Sequence, residues 1–137
     1  MSVMMVQSGG FGGGRGPAPS ILLASDSDDN GRSIGRVLKE AGFQVQVAGD
    51  YSRLEGAMDE RHYDLVLLEV SSAEAVEPAV EAALRVKRAD AAQFVGYLAD
   101  AWLSTSGLGG DGIFPRNASK LPAVLRSRLE SEGWGKS

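Results

Sequence analysis

The stretch Asp64-Leu65-Val66-Leu67-Leu68-Glu69-Val70 is the most hydrophobic of the chain, and its reading decides the fold. A short continuous apolar run rich in leucine and valine predicts a strand buried on both faces, the kind found at the centre of a parallel sheet. Glu69 sits at its carboxyl end, where open α/β sheets place their ligand sites. Upstream, Ile21-Leu22-Leu23-Ala24-Ser25 is a second such run, stopping at the acidic turn Asp26-Ser27-Asp28-Asp29. Between the two, Ile34, Val37, Leu38 and Ala41 repeat at helical spacing from Asn30 to Gly42, and Phe43, Val45 and Val47 alternate with polar neighbours as in an edge strand. Ser52 with Glu55 predicts a capping box for a short second helix ending before Arg61-His62.

Downstream, Ser71-Ser72-Ala73-Glu74 predicts another capping box, and Val76, Val80, Ala83 and Leu84 continue a third helix, with Pro78 tolerable only near its first turn. Gln93–Leu98 reads as a fourth strand, Ala101–Thr105 as a short fourth helix, Gly112-Ile113-Phe114 as a brief fifth strand, and Leu121, Val124, Leu125 and Leu129 as a terminal helix capped by Asn117 or Ser119. Strands alternating with helices require right-handed crossovers and a parallel sheet covered on both faces. A flavodoxin-like doubly wound five-stranded sheet of order 2-1-3-4-5 is therefore expected, against a Rossmann half. The Rossmann site needs a Gly-rich first turn, where this chain has Asp26, Asp28 and Asp29, whose carboxylates repel a pyrophosphate. The closing Gly135-Lys136-Ser137 imitates the end of a P-loop, but no strand precedes it.

The 137 residues suit one domain, and the chain carries 14 basic and 18 acidic residues for a net charge of −4. That balance argues against direct nucleic-acid binding. Cysteine is absent, which excludes disulfides, thiol nucleophiles and zinc–thiolate sites, and the single histidine, His62, excludes multi-histidine metal sites. No apolar run approaches a membrane span of ~20 residues, and the Met1–Gln7 opening lacks the basic start of a signal peptide. A cytoplasmic protein with no membrane association is expected. Six of the 18 glycines fall in the first sixteen residues, so residues 1–19 read as a flexible tail or linker, 20–132 as the folded domain and 133–137 as a C-terminal tail.

Residues 20–132 resemble the receiver domain of bacterial two-component response regulators. The resemblance rests on ordered landmarks. Ile21–Asn30 is similar to the family's first strand and acidic turn, where two adjacent acids hold Mg²⁺; Ser25 occupies the first position and Asp26 the second. Asp64–Val70 is similar to the third strand, with Glu69 in the place of the phospho-accepting aspartate. Leu98 stands where a Thr or Ser senses the phosphoryl group, and Ile113 where a switch aromatic is usual. Arg116 and Asn117 stand in the Lys-Pro positions.

Phosphoryl transfer to a carboxylate needs Mg²⁺ held by carboxylates, a cation and a hydroxyl for the developing charge. With Ser25 the metal pair has lost one acid, and the methylene added at Glu69 displaces the attacking oxygen by roughly 1 Å, a misplacement that can cost ~100-fold in rate. The resemblance therefore implies a degenerate, non-phosphorylatable pseudo-receiver: no enzyme, no cofactor, weak or absent Mg²⁺ binding, and a signalling or scaffold role through a protein partner, with a homodimer as one form. Glu69 is expected to pair with Arg116, whose planar fork suits a carboxylate. The alternative expectation is an atypical receiver still switched by phosphate or a small ligand at Asp26, Glu69 and Arg116. A third reading takes the chain as the receiver-like N-terminal piece of a larger protein.

Asp26, Asp28 and Asp29 also have a plainer reading as a solvated turn and helix cap. By the same resemblance, the partner surface is expected around Trp102, Leu103, Phe114 and Pro115, although large apolar residues more often fill a core. Trp134 either folds back on the body or marks a junction. The glycine-rich loop at 106–112 beside that surface is expected to be mobile.

Overall fold

A computed structural model describes residues 19–100, 112–116 and 119–131 of the chain. Its strands are β1 (Ser20–Ser25), β2 (Gln44–Val47), β3 (Leu65–Val70), β4 (Phe94–Ala99) and β5 (Gly112–Phe114). The helices among the described residues are α1 (Asp28–Glu40), α2 (Leu54–Glu60), α3 (Val76–Ala89) and α4 (Leu121–Ser131), with single 3₁₀ turns at Tyr51–Arg53 and Ala73–Ala75. The tail at 1–18, the expected helix at 101–105 with Trp102 and Leu103, the loop at 106–111, Asn117 and Trp134 lie outside the described residues.

The five strands form one parallel sheet of order β2-β1-β3-β4-β5. β1 and β3 are buried along their whole length, because apolar side chains on both faces meet helices above and below. On one face Leu22, Ala24, Val66, Leu68, Val95 and Tyr97 pack against Leu54 of α2 and Ala79, Ala82, Ala83 and Val86 of α3. On the other Ile21, Leu23, Leu65, Leu67 and Leu98 pack against Ile34 and Leu38 of α1 and Leu121, Leu125 and Leu129 of α4. β2 closes one edge with Gln44 and Gln46 turned outward, the pattern of an edge strand.

Phe114, expected on the partner surface, is instead a core residue, 3% exposed. β5 is only three residues long and shows little alternation in the sequence, yet pairing with β4 aims Phe114 at the α1–α4 face. Its ring takes the space left by Gly96, where an added Cβ would stand 2.8 Å from Phe114 Cε2. Pro115 is half-buried, and the apolar side chains that reach solvent nearby are Ile113 and Val124, each 37% exposed.

Two of the expected helix starts are built differently. Asp50, not Ser52, caps the turn before α2, its carboxylate accepting from the Ser52 backbone N–H at 2.9 Å. A charged acceptor two residues upstream outcompetes the hydroxyl. Before α3, Ser72 holds the cap position of the 3₁₀ turn without a side-chain hydrogen bond, and Ser71 turns its side chain to Asp26 instead. α1 is capped by Ser27, whose side chain accepts from Asn30 N–H, with Asp28 and Asp29 in the first turn where they oppose the positive end of the helix dipole.

Candidate functional site

The carboxyl ends of β1, β3 and β4 bring polar side chains to one end of the sheet. The register is fixed at the opposite end, where Asp64 accepts from Ser20 N–H at 2.8 Å and from Ser20 Oγ at 3.0 Å. From that clamp the strands run in step, so Ser25 stands across from Glu69 and Glu69 across from Leu98. Strand alternation puts Ser25 and Glu69 on the α1–α4 face with Leu23 and Leu67.

Glu69 is 0% exposed, and both of its carboxylate oxygens are engaged. Ser25 Oγ donates to Oε1 at 2.5 Å, and Arg116 Nε donates to Oε2. Arg116 Nη1 donates in turn to Asp100 Oδ2 at 2.9 Å, so one guanidinium bridges the ends of β3 and β4. Asp100 is the open arm, its side chain 43% exposed. Burial works against the Arg116 cation, but the hydrogen bond and charge of Glu69, with Asp100 behind them, outweigh it and raise its affinity for the proton.

Asp26 sits beside this chain of contacts. Its oxygens accept from the Ser71 backbone N–H at 3.1 Å and from Ser71 Oγ at 2.6 Å, tying the β1–α1 turn to the loop after β3. Leu98 is fully buried beside Glu69 and supplies no polar atom, while Ile113 points into solvent. Against the octahedral, carboxylate-rich demand of Mg²⁺, Ser25 brings no charge, and the oxygens of Asp26 and Glu69 are hydrogen-bonded within the chain.

Three members of the site are not evident from motif spacing: Asp100, Ser71 and Tyr51. Asp100 carries the same signal as Glu69, an acid at the carboxyl end of a parallel strand, and is legible on that ground. Tyr51 has no such signal; its buried hydroxyl donates to the Glu69 backbone carbonyl at 2.7 Å from the opposite face of the sheet. The Tyr51 hydroxyl is held well above the usual phenol range, first by burial and then by the negative charges of Asp26 and Glu69, and burial also raises Tyr97. In the unfolded chain tyrosine ionises near pH ~10, so above that pH the unfolded state loses protons that the folded state keeps. Stability is therefore full below that pH and falls as pH rises past it. Tyr51→Phe is expected to flatten this alkaline loss, at a cost near neutrality of about 1 kcal/mol for the missing hydrogen bond. Urea midpoints measured across the alkaline range check both parts.

No family model and no curated protein matches the sequence. Among solved structures the chain is similar to an orphan response regulator of H. pylori, at 24% identity and TM-score 0.58, over 81% of this chain and 96% of that one. It is similar to an atypical orphan response regulator at 25% identity and TM-score 0.62, over 86% and 99%. It is also similar to the E. coli RcsC C-terminus containing the phosphoreceiver domain, at 19% identity and TM-score 0.63, over 84% and 87%. No helix among the described residues is long and apolar enough to cross a membrane. With five parallel strands in the order 2-1-3-4-5 and these neighbours, the chain has the receiver-domain fold of the two-component response regulators, carrying the acidic end of that fold in a degenerate form.

Proposed function

We propose that this chain is a pseudo-receiver: a non-enzymatic protein–protein interaction module of cytoplasmic two-component signalling, which phosphoryl transfer does not switch. The observation that carries the reading is the buried Glu69 carboxylate with one oxygen on Ser25 and the other on Arg116. A nucleophilic carboxylate must aim a free oxygen at the phosphorus, and the cation beside it must be available for the developing charge. Here the oxygens are occupied and the guanidinium is divided between two carboxylates. The arrangement is one locked state, built from a permanent ion pair where a conventional receiver would use a transient one. The solved neighbour described as having a phosphorylation-independent regulatory mechanism is in keeping with this reading.

On this reading the module works through a protein partner, a second copy of the chain being one candidate. The contact face includes the β5–α4 side, where Ile113 and Val124 reach solvent and Phe114 does not.

The test is incubation of the full chain with acetyl phosphate and Mg²⁺, followed by intact mass measurement. The expected spectrum is that of the unmodified chain; a phosphoryl adduct overturns the reading. Saturable NMR shifts at Asp26, Glu69 and Arg116 on titration with Mg²⁺ and a phosphoryl analogue would favour the atypical receiver instead.

A further inference from the structure

We infer that Ser25 is the positioning residue of the lock: its hydroxyl holds the Glu69 carboxylate in the rotamer that meets Arg116. The inference rests on the locked reading of the site and assigns to one residue the task of orienting it.

The donor and acceptor directions are dictated by chemistry. Ser27 N–H can only donate, and it reaches Ser25 Oγ at 2.9 Å. Arg116 can only donate, and it takes Glu69 Oε2. An ionised Glu69 can only accept, so the single Ser25 proton must point to Oε1, which stands 2.5 Å away. The result is a one-way relay from the Ser27 amide at the α1 cap, through Ser25, to Glu69, met from the other side by Arg116 and Asp100. Each end is anchored to a different element, and charge-assisted bonds in a buried chain reinforce one another.

α1 lies so close over β1 that a Cβ added at Gly31 would stand 3.2 Å from Ser25 Cβ. A carboxylate at position 25 would therefore be pressed between α1 and a second buried carboxylate, with one guanidinium to serve both. Ser25 and Glu69 thus read as one coupled feature: the short side chain on β1 supplies both the room and the donor that the long side chain on β3 needs.

The experiment uses the full ¹⁵N-labelled chain and follows the Arg116 Nε–H resonance and its exchange with solvent, a readout that a general loss of stability does not mimic when compared with backbone amides of β3. In the natural sequence the proton is expected to be protected. In Ser25→Ala its exchange is expected to quicken about tenfold or more, the equilibrium equivalent of one charge-assisted hydrogen bond, while β3 amides keep their protection. If Ser25→Ala does not fold, the isosteric pair Ser25→Thr and Ser25→Val isolates the hydroxyl, and only the threonine variant is expected to retain protection. Unchanged protection in folded Ser25→Ala, or equal protection in the threonine and valine variants, overturns the positioning role and leaves the lock standing. A phosphoryl adduct on the natural chain would instead remove the lock, whatever the Arg116 signal does.

Discussion

Replacing Arg116 by methionine is expected to destabilise the fold by about 3–5 kcal/mol, the cost of leaving a buried charge without its partner. Glu69 is 0% exposed, and with Arg116 gone the hydrogen bond from Ser25 is what remains to its carboxylate. The double change Glu69→Leu with Arg116→Met is expected to recover most of the loss, because a buried ion pair replaced by apolar side chains of similar volume is often neutral. Asp100→Asn is the graded control. Its arm of the bridge is 43% exposed and should cost within about 1 kcal/mol, as surface pairs do. Urea denaturation of the four chains measures all of this, and an Arg116→Met midpoint equal to that of the natural chain would sink the account of the lock.

Phe114→Ala is expected to cost about 3–5 kcal/mol, the usual penalty for emptying a buried aromatic site. An exposed contact residue replaced by alanine would stay within about 0.5 kcal/mol, so the measurement separates core from surface directly. Gly96→Ala presses a methyl group into the same ring and should cost about 1–3 kcal/mol on its own. In the Phe114→Ala background the tightest contact of the added methyl is gone, leaving Gly112 O and Leu67 Cδ2 at 3.3 Å, so the two changes are expected to be non-additive. Additive losses would show that the ring does not rest where Gly96 leaves space.

These two sites mark where sequence reading succeeds and where it stops. The strand order, the buried central strand and the two-sided core follow from the continuous apolar runs at β1 and β3 and the helical stripes between them, because periodicity reports burial directly. Cap chemistry is less legible. Ser52 and Ser71 have the spacing of helix starters, yet Asp50 takes the first role and Asp26 draws Ser71 away from the second. In both cases a nearby carboxylate takes the serine hydroxyl as a donor, which spacing alone does not weigh. Phe114 is misread for another reason: the three-residue strand Gly112-Ile113-Phe114, closed by Pro115, carries too little pattern to show which face its last residue takes.

The sequence by itself determined the doubly wound sheet, the acid at the end of its central strand and the absence of thiol chemistry, since each is a matter of residue type and local period. Only the tertiary structure decided what those residues do. The β1–β3 register sets Ser25 against Glu69, the β5–α4 connection delivers Arg116 to both Glu69 and Asp100, and Gly96 opens the seat for Phe114. The hydrogen-bonded partners of the lock lie 44, 47 and 16 residues apart along the chain, and local pattern does not encode contacts at such separations. Strand register and side-chain direction do, and those exist only once the sheet has formed.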